Sequence, residues 1–364
     1  MKLQSFLALG SLAAVAVSAP LTQTKREDDC TCTPEKVQQR VEYNTMPEWE
    51  RKAFTDSILC LMDQPSQLDQ TQYPAAINRY FDYAVVHVSR TQNVHLSGFF
   101  LTWHRMFLHL FEQDLRTTCG YAGRWPYWNF AATAGSLESS PILDGSDFSL
   151  SGNGEYNDTG PIQLGPSLSI PHGSGGGCVT SGPFANLEVP LAFIDPNALQ
   201  TGTLPADAFA YQPSCLRRDL NDYVATTYAN WAEVVAATHS SDAAALELAL
   251  NGVIGSASLG VHSGAHFEVG GQMNSIHISA SDPIWFPLHT FIDVIYDSWQ
   301  RNNPSVFDDL YGTETALNVP PTPNVTLDTI EPDWGYFYTQ PTAVRDLLNI
   351  TSGPFCYEYD LQIS

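Results

Sequence analysis

Residues 98–115 read GFFLTWHRMFLHLFEQDL, an apolar stretch at helical spacing that also carries Trp103-His104-Arg105 and a second histidine, His109. Residues 282–299, DPIWFPLHTFIDVIYDSW, repeat the situation with His289 in mid-run. A helix that is apolar on most sides is buried, and a buried imidazole needs a hydrogen-bond partner or a metal ion. These two segments restrict the chain to folds in which histidine-bearing helices pack against one another and supply that partner.

The remaining histidines sort around these two. His87, His95 and His104 are separated by eight and nine residues, and His262 and His266 lie four apart, 23 before His289. Residues four apart on a helix stand about 40° from each other, so His262 and His266 face one way. His109 is about 140° round from His104 and cannot share its inward face. Its simpler reading is structural or surface, as for His172 in PHGSGGG and His239 in ATHSSD. One buried histidine is most simply a satisfied core side chain. Two in buried helices, an i, i+4 pair and a flanking set together point to metal. Imidazole suits zinc, copper, iron or nickel. A hydrolytic site would recruit carboxylates, yet HSGAHFE has Ser263 where the HExxH motif has its glutamate. The residues thus read as two three-histidine metal sites, with a redox pair of coppers favoured.

Patterning is helical over 47–64, 73–90, 217–251 and 259–267, and residues 135–183, rich in Gly, Ser and Pro, read as a long surface excursion. Asp282 and Pro283 have the chemistry of an N-cap and first helical residue. Nothing resembles a linker between two domains. Residues 1–19 have a lysine at position 2, an apolar run and a small-residue site ending at Ala19, and read as a secretory signal peptide; Lys25-Arg26 suggests a pro-segment over 20–26. That leaves 27–364 as a single domain. Its net charge is −23 with the leader and −26 without Lys2, Lys25 and Arg26, a balance that disfavours nucleic acid and anionic membranes as partners. Seven cysteines in an oxidising compartment imply disulfides with one left over, and sequons at Asn157, Asn324 and Asn349 offer N-glycan sites.

At the histidine segments the sequence resembles the type-3 copper family of tyrosinases, catechol oxidases and haemocyanins. HLSGFFLTWHRMFLHLFE matches the first copper motif through His95, Trp103-His104-Arg105, Phe107 and Glu112, with His87 upstream. HSGAH, GGQM and DPIWFPLHTFID match the second through His262, His266, His289 and Asp293. WPYWNF resembles an aromatic family motif, with Asn129 where aspartate is usual, and CYEY resembles the tyrosine motif closing the core domain, to which Arg40 would pair. The resemblance covers about residues 40 to 359.

It implies a mainly α fold: a four-helix bundle around a dinuclear copper site, with long loops and a few short strands. The helices would run roughly 75 to 88, 98 to 116, 259 to 268 and 283 to 300. The implied metal ligands are His87, His95, His104, His262, His266 and His289, each oriented through its other nitrogen by a backbone carbonyl. Two copper ions with O2 as co-substrate would oxidise o-diphenols to o-quinones. No catalytic residue is implied beyond the ligands. Ile276 and His277, in the loop 272–280, are candidate substrate contacts. The chain departs from the long fungal members, which continue into a C-terminal lid domain, and resembles the short secreted ones. Asn93 replaces the cysteine that forms a thioether in many fungal relatives. Ser263 replaces the asparagine that follows the first histidine of the second motif in many tyrosinases, which tilts the reading from monophenols toward diphenols. A tyrosinase-like oxidase of monophenols or o-aminophenols is the alternative, and a haemocyanin-like O2 carrier the alternative of another class.

Overall fold

A computed structural model of the chain describes residues 32–196 and 198–364. The segments 1–19 and 20–26 and Cys30 lie outside the described residues. In chain order the α-helices are α1 (Glu48–Met62), α2 (Arg79–Val94), α3 (Phe100–Cys119), α4 (Ala198–Thr201), α5 (Asp222–Tyr228), α6 (Trp231–Thr238), α7 (Ala243–Asn251), α8 (Val261–Val269) and α9 (Trp285–Asn302). The short strands are β1 (Gln38–Glu42), β2 (Trp125–Tyr127), β3 (Gly154–Tyr156), β4 (Ile162–Leu164), β5 (Leu168–Ile170), β6 (Gly176–Val179), β7 (Glu188–Val189), β8 (Ser214–Cys215) and β9 (Tyr357–Tyr359). Among the described residues no helix is long and apolar enough to cross a membrane.

The predicted four-helix arrangement around the histidines is present as α2, α3, α8 and α9. Each begins two to four residues later than the resemblance implies, and ahead of α2 and α9 a side-chain acceptor marks the start. Asn78 accepts the Phe81 N–H at 3.0 Å to open α2, which continues past His87 to Val94 and leaves His95 at its C-cap. Asp282 accepts the Ile284 N–H at 3.1 Å, and regular helix begins at Trp285. Helix α8 is bracketed by Gly260 (φ +72°) and Gly270 (φ +73°), conformations an L side chain adopts only with strain. A Cβ on Gly270 would also lie 2.8 Å from Asp219. The two glycines confine the His262–His266 pair to a nine-residue helix.

Strands β2, β1 and β9 form a parallel sheet in that order, with Arg40 opposite Trp125 on one side and Tyr359 on the other. Beside it, Cys32 and Cys356 are bonded. Cys60–Cys119 ties α1 to the end of α3, and Cys178–Cys215 joins β6 to β8.

The segment 135–183 is not merely a surface excursion. Ile142, Leu150, Ile170 and Val179 are buried in it, and β4–β5 form a hairpin whose Leu168 and Ile170 pack with Val224 and Leu259. Arg218 draws the segment inward. Its guanidinium is fully buried, pairs with Asp282 at 2.7 Å and donates to the carbonyls of Leu150, Ser151 and Gly152. Residues 217 to 221 are therefore extended rather than helical, and α5 starts at Asp222 under a cap from Asn221.

Candidate metal centre and its cavity

Helix α2 brings His87, its C-cap brings His95, and α3 brings His104 to one point. Helix α8 brings His262 and His266, and α9 brings His289, to a second. In each trio the potential ligand atoms lie within 4.8 Å of one another, and all six residues are buried. The trios adjoin: the rings of His104 and His289 stack with centroids 5.2 Å apart.

The outer nitrogens decide the protonation. The Nδ1 atoms of His87, His95, His104, His266 and His289 contact the carbonyls of His277, Thr91, Phe100, Met273 and Trp285 at 2.7–3.2 Å. A carbonyl only accepts, so each Nδ1 carries the proton. His262 differs: its Nδ1 lies 2.7 Å from Asn251 Oδ1, while Asn251 Nδ2 donates to Glu247 at 2.9 Å. Since the amide nitrogen is committed to Glu247, its oxygen accepts from the ring. All six rings therefore aim an Nε2 lone pair inward. The Nε2 atoms of His87, His95 and His104 are buried without a hydrogen-bond partner. In the other trio the Nε2 of His262 stands 3.0 Å from that of His266 and 3.1 Å from that of His289, with no proton between them. Converging lone pairs in a desolvated space repel, and a cation placed among them removes that repulsion. Burial, reinforced for most of them by the neighbouring rings, lowers the pKa of each ligand candidate, to about 3 for His104 and about 4 for His266. The rings are thus held neutral, the form a metal requires.

The residues flanking His104 hold the scaffold. Trp103 donates to the Pro332 carbonyl at 3.1 Å and stacks on Phe107. Arg105 points away from the histidines to Asp293 at 2.6 Å and to the carbonyls of Leu347 and Leu348. Asp293 also accepts the hydroxyls of Tyr357 and Tyr359 and lies 3.7 Å from Arg40, which pairs with Glu112 at 2.8 Å. Although burial opposes it, Arg105 and Arg40 keep the Asp293 carboxyl below its usual range. Thus α3, α9 and the β2-β1-β9 sheet share one buried ionic knot. His109, off that face, packs edge-on against Phe355.

A cavity of about 370 Å³ reaches His95, His262 and His266. Its walls come from three segments: Leu164 to Leu168 of the β4–β5 hairpin, Pro196 with Leu199 and Gln200 of α4, and Val253 to Leu259. Ile276 lines it. His277 is buried instead and is not among the lining residues; burial lowers its pKa to about 4, and its carbonyl holds His87.

The common central domain of tyrosinase matches residues 77–302, a span that contains all six histidines. The chain belongs to the tyrosinase family. Its relatives include Tyrosinase P of Aspergillus terreus, 35% identical over 330 residues that cover 88% of this chain and 91% of that one. Oxidase hkm6 of Aspergillus hancockii is 38% identical over 288 residues, covering 76% and 99%. A polyphenol oxidase variant from Thermothelomyces thermophila superposes with a TM-score of 0.82 at 32% identity, covering 90% of each chain. This tyrosinase-family protein is a copper oxidase of fungal type, and its two histidine trios fit a dinuclear copper site. Asn251 and Glu247 are the parts of that site the sequence did not disclose. They sit on α7, 11 and 15 residues before His262, and no spacing rule links an asparagine on one helix to a ring on the next.

Proposed function

We propose that this tyrosinase-family oxidase converts o-diphenols to o-quinones with O2. In this reading His87, His95 and His104 hold one copper and His262, His266 and His289 the other. When bound, the pair supplies the two-electron redox chemistry with O2. Each diphenol gives up two electrons and two protons, and two diphenols reduce one O2 to two waters. The protein's part is to keep the six imidazoles neutral, fix their orientation from behind, and admit the phenol ring through the cavity. Ile276 borders the ring's path. His277 acts through its carbonyl on His87.

The observation that supports diphenols over monophenols is the character of the cavity wall. Among the described residues it carries no carboxylate, and Ser263 stands beside His262 with its hydroxyl donating to the Asn251 carbonyl at 3.3 Å. A catechol ionises more readily than a monophenol and needs no added base. Parallel oxygen-consumption assays on 4-methylcatechol and on 4-methylphenol, with copper counted per chain, test the reading. Turnover of 4-methylcatechol with two coppers and little response to 4-methylphenol is expected; 4-methylphenol oxidised as fast as 4-methylcatechol overturns it.

The segment 27–364 is proposed as the single catalytic unit, secreted after loss of 1–19 and 20–26. Asn157, Asn324 and Asn349 are exposed and are its proposed N-glycan sites. N-terminal sequencing and enzymatic deglycosylation of the secreted protein check both points.

A further inference from the structure

The cavity has a chemical signature beyond its contact with the histidines. Among the described residues its wall contains no lysine, arginine, aspartate or glutamate. The hairpin contributes Leu164, Pro166 and Leu168, α4 Leu199, and the loop after α7 Val253 and Ile254. Leu199 is buried, whereas Val253 and Ile254 are 53% and 48% exposed at the end of α7. Large aliphatic side chains left in water beside a cavity are surface that a ligand covers at a gain. The volume, about 370 Å³, lies within the range of sites that enclose molecules much larger than a single ring.

We propose that this oxidase is built for phenols that carry a bulky, uncharged, apolar substituent, and that it discriminates against free amino-acid phenols. The inference rests on the diphenol reading above and names the substrate class for the same site. With its ring at the histidines, a substituent extends along Leu164, Leu168 and Leu199 toward Ile254. Each methylene that leaves water there raises affinity about fourfold until the wall is covered. An α-carboxylate or α-ammonium in the same place meets no counter-charge and gives up its hydration. The net charge of −23 adds repulsion for anionic phenols before they reach the cavity.

The test is a series of catechols on the copper-loaded protein: 4-methyl-, 4-propyl- and 4-hexylcatechol against 3,4-dihydroxyphenylalanine and 3,4-dihydroxyphenylacetate. The expected kcat/KM rises through the alkyl series by about fourfold per carbon before levelling. It stands on the order of a hundredfold lower for the two charged substrates than for the propyl compound. Ile254→Arg, at the exposed rim, is expected to raise the rate for 3,4-dihydroxyphenylacetate relative to 4-propylcatechol at least tenfold with copper content unchanged. A flat alkyl series, or 3,4-dihydroxyphenylalanine turned over as well as 4-propylcatechol, overturns the proposal. Calorimetric titration under argon with 4-methyl- to 4-hexylphenol reads the cavity without turnover. If no catechol is oxidised but affinity still climbs with chain length, the diphenol reading fails and the cavity assignment stands. If catechol is oxidised and affinity does not climb, the cavity assignment alone fails.

Discussion

Replacing Asn251 by alanine removes the one side chain that, among the described residues, accepts a hydrogen bond from the outer nitrogen of a histidine of the centre. The other five rings lean on backbone carbonyls, which substitution leaves in place. His262 would lose its 2.7 Å acceptor and keep a buried Nδ1–H with nothing to receive it. An unsatisfied buried donor costs about 1–3 kcal/mol, which at about 1.4 kcal/mol per decade is about 5- to 150-fold in affinity. The general cost of removing a partner behind a metal-bound histidine, about 10- to 100-fold, falls in the same window. Asn251 also borders the cavity, so water can take the amide's place and hold the loss toward the lower end. The expected result is selective: of two bound coppers, the one at His262, His266 and His289 is weakened. Dialysis against chelators of graded strength, with copper counted at each step, should reveal a plateau at one copper per chain that the parent protein lacks. Glu247→Ala, which removes only the anchor of the amide nitrogen, should show a smaller displacement of the same kind. Loss of both coppers together, or an unchanged release curve, would show that the amide does not position the ring.

Three further outcomes follow from the geometry. Asp293→Ala leaves Arg105 and Arg40 without their shared carboxylate and should cost about 3–5 kcal/mol; denaturant unfolding measures it, and a change below 1 kcal/mol would mean that water screens the knot. Gly270→Ala forces a side chain into φ +73° and against Asp219, and should destabilise the chain by about 1–3 kcal/mol; a neutral effect in the same assay contradicts the strain. The copper-free protein should lose stability in acid, since burial holds the pKa of His104 at about 3 and His266 at about 4, below the unfolded value near 6.5. As pH falls below 6.5 the unfolded chain takes up those protons first, so the penalty grows from there down to about pH 3. A melting temperature that stays level between pH 7 and 4 would refute it, and copper should move the fall to lower pH.

The histidines were legible because metal ligation imposes both residue type and spacing: His262 and His266 on one turn, and His104 and His289 in helices too apolar to hold an idle imidazole. The fold class followed from the family resemblance that these same histidine segments carry. What escaped was contributed by backbone or by distant sequence. The carbonyls of His277 and Met273 have no residue signature, so His277 read as a loop histidine near the substrate when its carbonyl behind His87 is what matters. The hairpin at 162–170 was concealed by its polar, glycine-rich surroundings, although Leu164, Leu168 and Ile170 alternate along it. Arg218, which pulls that segment inward, lies next to Arg217 in a run that reads as the start of a helix, and only the three carbonyls it reaches disclose its role.

The parallel sheet has a consequence for the order of events during synthesis. Its central strand, β1, is among the first described elements to be made, and one of its two neighbours, β9, is made last, 319 residues later at the Gln38–Tyr357 pairing. Arg40 must therefore wait, its partners on β9 still inside the ribosome, while α1 to α9 emerge. Asp293 acquires its two tyrosine hydroxyls only when Tyr357 and Tyr359 arrive. Local helix formation can run ahead, but this long-range closure comes at the end and carries the loop-closure entropy of nearly the whole chain. The scaffold that aligns α3 with α9, and with it the facing of His104 on His289, is completed only after translation has passed residue 359.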